Sequence, residues 1–279
     1  MRMYNWVYQF MLAVLNAKSI VGQVYMARIR NALVEFNRAL CACSYDASGG
    51  SILPAVIIRP GCEALKNKRI DCVIFDLDGT IADTIPMIVE CFQQVFQKYA
   101  GRRYSISEIT AMFGPTEQGI ILSRVPQEKA GEAIEYFYEN YSRLLPWKAR
   151  LFDGVDSMLY QLQSSGKKLG IGTGKGKRST SMTLIGLDVH RFFPVVVTGD
   201  DVQEPKPSPK ILAQAVDRIG SPPEHTMYVG DTPVDIMCGK RLGVFAGAAL
   251  WGTADREALL DAAPDLAFEH PNEIVCKIE

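Results

Sequence analysis

Asp76 and Asp78 stand two residues apart, directly behind the apolar run Ile70 to Phe75. Alternate side chains of a strand share a face, so a strand geometry that persists past the run would turn both carboxylates toward one site. Gly79 then lets the backbone turn sharply, ahead of Thr80. One carboxylate of such a pair can attack phosphorus, while the other protonates the leaving group and later activates water. That division of labour is sufficient for hydrolysis of a phosphate ester.

Three further polar groups follow apolar runs. Lys168 to Gly172 reads as a buried strand and leads into Thr173, Gly174, Lys175 and Gly176, a hydroxyl with flexible backbone N–H groups suited to an anion. Around Lys206 the chain is stiffened by Pro205, Pro207 and Pro209, and Ser208 followed by Pro209 predicts an N-cap and first residue for a helix through about Ile219. Thr226 to Gly230 is the next strand candidate. It ends at Asp231 and Asp235, four residues apart at a loop-to-helix mouth and able to face one way.

With these four pieces in order, the chain resembles the haloacid dehalogenase superfamily of phosphohydrolases over about residues 69–275. The resemblance rests on Asp76-Leu77-Asp78-Gly79-Thr80, Thr173, Lys206 and Gly230-Asp231-Thr232-Pro233-Val234-Asp235. It implies Asp76 as nucleophile, Asp78 as general acid/base, and Thr173, Gly174 and Lys206 as the groups that hold and stabilise the phosphoryl group. It further implies a Mg²⁺ site at Asp76, Asp78 and Asp231, with Asp235 as an auxiliary acid. Within the superfamily, the Thr173-Gly174-Lys175 and Lys206-Pro207-Ser208-Pro209 runs and Ala249-Leu250-Trp251-Gly252 look like phosphoglycolate-phosphatase-like hydrolases. The same resemblance implies a small phosphorylated metabolite as the partner of the site.

The charges favour the same reading on physical grounds. Phosphoryl transfer needs groups that position and neutralise a dianion. Asp76, Asp231 and a phosphate would repel one another without a cation, and hard oxygen ligands with no nearby His or Cys suit Mg²⁺ rather than zinc. A haloacid dehalogenase would share the nucleophile but has no phosphate leaving group for Asp78 to protonate. Gly170 to Thr180 fits neither a P-loop nor a dinucleotide fingerprint. A phosphomutase, which differs in the acceptor of the phosphoryl group, and a non-catalytic phosphate-binding protein remain the alternatives.

A chain of 279 residues with 48% hydrophobic content can bury a large core. Its net charge of −1 gives no general basic character for nucleic acid. The seven cysteines are scattered and odd in number, which favours free thiols and a cytoplasmic location.

Strands are expected near 70–75, 168–172, 194–198, 226–230 and 243–249, with helix-length segments between them. That alternation predicts an α/β fold, a Rossmann-like doubly wound parallel sheet with its ligand at the carboxyl ends of the strands. The stretch between the first two strands is too long for one crossover helix and predicts an inserted α-helical cap. The cap is assigned to 84–149, and the catalytic core to 69–83 with 150–279. Ile88, Phe92, Val95 and Tyr99, and Ile134, Phe137, Tyr141 and Leu145, keep helical spacing within the cap. Phe113 to Glu117 is the cap loop best placed to reach the site. Arg124 and Lys129 are cap cations for which surface positions are expected.

Residues 1–68 form an amino-terminal helical extension and linker in this reading. The first 34 residues hold Arg2, Lys18, Arg28 and Arg30 and no acid, and Ile20, Val24, Ile29, Leu33, Phe36 and Leu40 approximate one helical face. Residues 1–40 thereby offer a surface for a membrane or a second subunit, with organellar import the lesser alternative. Every chemical group lies beyond residue 68. Deletion of residues 1–66 is expected to leave a folded, active enzyme whose association state or location changes; light scattering, thermal unfolding and turnover of the two forms check this.

Overall fold

The computed structural model describes residues 69–278. Eight strands lie among them: β1 (Cys72–Phe75), β2 (Ala82–Asp83), β3 (Arg150–Leu151), β4 (Lys168–Gly172), β5 (Val195–Val197), β6 (Thr226–Gly230), β7 (Phe245–Ala249) and β8 (Leu266–Phe268). Six form one sheet in the order β5-β4-β1-β6-β7-β8, every pair parallel. The expected strands are all present. The strand β8 is an addition, too short and too interrupted by polar flanks to announce itself by periodicity.

Burial of the sheet on both faces follows from the alternation along its central strand. Val73 and Phe75 of β1 enter one apolar cluster, whereas Cys72 and Ile74 enter another on the opposite face. Helix α5 (Val155–Ser164) contributes Val155, Met158, Leu159 and Leu162 to the first cluster, joined by Leu184 of α6 (Lys177–Gly186). On the other face, α7 (Lys210–Ile219) supplies Ile211, Leu212, Ala215 and Val216, and α8 (Pro233–Leu242) supplies Cys238. Two shorter helices, α9 (Arg256–Asp261) and α10 (Asn272–Ile278), complete the carboxyl-terminal part. The helix through Ile219 starts one residue later than expected. Pro209 takes the N-cap position with no side-chain cap, and the Ser208 hydroxyl donates to Glu204 Oε2 at 3.1 Å.

Between β2 and β3 the chain forms four helices: α1 (Ile85–Tyr99), α2 (Ile106–Thr110), α3 (Glu117–Leu122) and α4 (Gln127–Lys148). The pairing of Ala82 with Leu151 and Asp83 with Arg150 brings the two connections together at their base. The two long helices are the ones the aromatic spacing predicts, while α2 and α3 are too short for a periodic signal. Phe92, Val95 and Phe96 of α1 pack with Phe137, Tyr141 and Leu145 of α4 in a core separate from the sheet's. Phe92 and Phe137 stand with ring centroids 4.7 Å apart. Among the described residues, no helix is long and apolar enough to cross a membrane. Because Phe137 is fully buried, Phe137→Ala is expected to cost about 3–5 kcal/mol, read as a lowered midpoint in urea unfolding.

Candidate active site

The four motif segments meet at the carboxyl ends of neighbouring strands. Asp76 follows β1, Thr173 follows β4, and Asp231 follows β6, so the parallel order β4-β1-β6 alone sets these side chains beside one another. The loop behind β1 turns through Gly79 at φ +83°, a conformation open to glycine. A Cβ on Gly79 would also lie 2.2 Å from Asp231 Oδ2. Glycine there serves both the turn and the close approach of two acidic segments.

One half of the site is built around Lys206. Its buried ammonium group donates to Asp76 Oδ1 and to Asp235 Oδ1, each at 2.8 Å, and to the Tyr228 hydroxyl. Asp235 is saturated: Tyr228 donates to its Oδ1 at 3.0 Å, and the backbone and hydroxyl of Thr232 donate to its Oδ2 at 3.1 and 2.6 Å. It thus caps α8 and fixes Lys206 at the same time. Asp231 Oδ1 accepts from Thr80 at 3.0 Å. Among the described residues, no hydrogen bond reaches Oδ2 of Asp76 or of Asp231. Carboxylate oxygens of Asp76, Asp231 and Asp235 lie within 4.8 Å of one another, a donor set of hard oxygens.

Asp78 faces the other half. Its Oδ1 accepts from Thr84 at 2.5 Å and its Oδ2 from Lys175 at 3.0 Å. Carboxylate oxygens of Asp76, Asp231 and Asp235 form one acidic group, while the side chain of Asp78, expected with Asp76 and Asp231 at a metal, meets a threonine and a lysine. Thr173 is buried at the end of β4, with its hydroxyl accepting from Lys175 N at 3.3 Å.

Beyond Thr173, the anion cradle expected from the glycine-rich run is partly filled by the protein itself. The Gly176 N–H donates to Glu117 Oε2 at 2.8 Å, and the Lys177 N–H donates to Asp200 Oδ2 at 2.7 Å. The N-terminus of α6 attracts negative charge, and two carboxylates supply it. Glu117 comes from the cap loop expected to reach the core. Arg124 and Lys129 are exposed, and Arg124 lines a surface concavity of the cap with Arg102, Tyr104 and Glu108.

Residues 73–249 match the family of haloacid dehalogenase-like hydrolases. The chain is also 32% identical over 203 residues to the pyrophosphatase PpaX of Oceanobacillus iheyensis, spanning 73% of this chain and 94% of that protein. It belongs to the haloacid dehalogenase-like hydrolases. Within that family it is a phosphatase-type enzyme. In fold it is similar to a haloacid dehalogenase-like hydrolase from Streptococcus pneumoniae, at 25% identity and a TM-score of 0.62 over 75% of this chain and 99% of the other. A predicted phosphoglycolate phosphatase from Haemophilus somnus has the same fold at 18% identity and a TM-score of 0.67, with 75% of this chain and 98% of that chain covered.

Thr84 and Tyr228 carry no signal in the sequence for a place in this site, and Glu117 and Lys175 stand there only as members of a loop and of a glycine-rich run. Tyr228 lies inside a strand read as apolar, and Glu117 lies 59 positions before the backbone amide it meets.

Charge crowding governs the proton affinities. Burial pushes the Asp76 carboxyl up to about 6, against the pull of Lys206 and with a push from Asp235. Burial, then Asp235 and Asp76, raises Asp231 well above the usual carboxylate range. Asp235 is buried too, yet Lys206 and its hydrogen bonds hold it below that range. A carboxyl raised on folding binds its proton more tightly in the folded state. Its stabilising contribution is present below the unfolded value of 3.8 and is lost as the pH rises through about 6. In a chelator, Asp76→Asn should therefore gain stability relative to the wild type between about pH 4 and pH 7, by on the order of a few kcal/mol, as measured by paired urea titrations.

Proposed function

We propose that this hydrolase is a Mg²⁺-dependent phosphatase that cleaves a small phosphorylated metabolite through an aspartyl-phosphate on Asp76. The observation that carries the reading is the asymmetry of Asp76: Lys206 holds Oδ1 at 2.8 Å, while no described residue hydrogen-bonds Oδ2, which lies beside the Asp231 carboxylate. Lys206 orients the nucleophile and neutralises part of the incoming charge. Thr173 and Gly174 border the position of the phosphoryl group. Asp78, two residues on, serves as acid toward the leaving group and as base toward water.

The donor set fits Mg²⁺, with Asp76 and Asp231 offering free carboxylate oxygens and Asp235 acting as the auxiliary acid that holds Lys206. When bound, the ion offsets repulsion between these carboxylates and a substrate phosphate. Residues 84–149 act as the cap over a core of 69–83 and 150–279, and the cap selects the leaving group, since the floor addresses only phosphate. Phosphoglycolate-like esters and pyrophosphate are the substrates to test first, the latter because similarity to a pyrophosphatase extends over 94% of that protein's length. The enzyme is assigned to the cytoplasm. Residues 1–40, outside the described part, are assigned to contact with a membrane surface or a second subunit.

Asp76→Asn should lower phosphate release from phosphoglycolate or pyrophosphate by roughly a thousandfold or more, with the thermal transition retained. A chelator should abolish wild-type turnover and MgCl₂ restore it. Undiminished turnover by the variant overturns the mechanism, and isomerisation of a sugar phosphate faster than phosphate release favours a mutase.

A further inference from the structure

Lys175 is one of two buried lysines at the mouth of the sheet, and the reaction as described does not use it. Its side chain is 3% exposed, and its ammonium group lies 3.0 Å from Asp78 Oδ2 and 3.4 Å from Glu117 Oε1. The ring of Tyr141, on α4 of the cap, stands 4.9 Å away. Burial disfavours the charged lysine, but Asp78, Tyr141 and Glu117 together raise its proton affinity well above that of a free lysine. It is held as a cation between a carboxylate of the core and a carboxylate of the cap.

Glu117 is equally committed. It opens helix α3, is only 5% exposed, and reaches across to the core, where Gly176 N–H donates to Oε2 and Ser179 donates its hydroxyl to Oε1. A Cβ at Gly176 would lie 2.5 Å from Glu117 Oε2, so the glycine makes room for this contact. Gly199 would likewise bring a Cβ to 2.7 Å from the methyl of Thr116, the residue before Glu117. The seated cap thus delivers a buried charge next to the lysine that grips Asp78.

We propose that Glu117 is a cap-borne positioning residue for the general acid/base: its charge fixes Lys175, and Lys175 fixes the carboxylate of Asp78 while the cap is seated. A Lys175 without Glu117 would have one acidic partner in place of two and a wider choice of rotamers. Asp78 would then lose the side from which it is held, although Thr84 would remain. This inference rests on Asp78 acting as the acid toward the leaving group. It gives the cap an effect on chemistry as well as on the choice of substrate.

Leaving-group dependence separates that role from packing. An alkyl leaving group, as in phosphoglycolate, needs a proton, whereas p-nitrophenolate departs with little help. Glu117→Gln removes the charge and keeps one acceptor oxygen, for the Gly176 N–H, while its amide N–H faces Ser179, whose hydroxyl can turn to accept. The variant should lower kcat for phosphoglycolate by about tenfold or more relative to p-nitrophenyl phosphate. Lys175→Met should shift the ratio of the two rates in the same direction, and the double variant should shift it no further than Lys175→Met alone. Thermal unfolding of each variant confirms that folded protein is compared, and Glu117→Asp, which keeps the charge, should recover part of the ratio. Equal losses on both esters, or multiplicative effects of the two substitutions, would overturn the proposal while leaving the phosphatase reading intact. A wild type that releases phosphate from neither ester in MgCl₂ would overturn the phosphatase reading, and the proposal with it.

Discussion

Negative charge packed out of water is the constraint on which this site depends. Among the described residues, five carboxylates, those of Asp76, Asp78, Glu117, Asp231 and Asp235, surround two ammonium groups, Lys175 and Lys206. Buried carboxylates without a partner cost several kcal/mol each, so such a cluster must be paired, protonated or given a cation. Two responses are visible: Asp235 is paired and Asp231 is driven toward protonation, while no hydrogen bond from a described residue reaches Oδ2 of Asp76 or of Asp231.

The fold makes this crowding bearable. A parallel sheet with both faces covered ends in loops whose positions are set by strands on either side, so the carboxylates cannot drift apart to relieve repulsion. The capping box of Thr232 and Asp235 ties the start of α8 to the same cluster. Tyr228 closes the group from within β6 by bonding Gly172 O of β4 at 2.8 Å and Asp235 at 3.0 Å. The sheet thereby holds Asp76 with Oδ1 fixed by Lys206 and, among the described residues, no hydrogen bond to Oδ2.

Lys206 and Lys175 divide the site into two halves, one around Asp76 and the other around Asp78. The first half belongs wholly to the core. The second draws Glu117 and Tyr141 from the helices between β2 and β3, so its integrity depends on the packing of a separate apolar cluster. Removing one member of a buried charge pair strands its partner, which makes these contacts costly to break and therefore selective for one arrangement.

The amino-acid sequence by itself determined five of the six strands of the sheet, the two long helices between β2 and β3, and Asp76, Lys206, Asp231 and Asp235 in the core half. Those signals are local: apolar runs of strand length, aromatic residues at helical spacing, and acids set at the ends of the runs. Asp76, Asp231 and Asp235 were legible because they follow the ends of two strands, β1 and β6, and the parallel order does the rest. Tertiary structure alone decided the direction of the Asp78 side chain, the partnership of Lys175 with Glu117, and the use of the Gly176 amide by a cap carboxylate. The physical reason is distance along the chain. Glu117 and Gly176 are 59 positions apart, and nothing local to either marks a buried charge that exists only once the cap helices have packed. Tyr228 was hidden for a related reason, since a tyrosine in an apolar run reads as core until its hydroxyl is seen between Lys206 and Asp235.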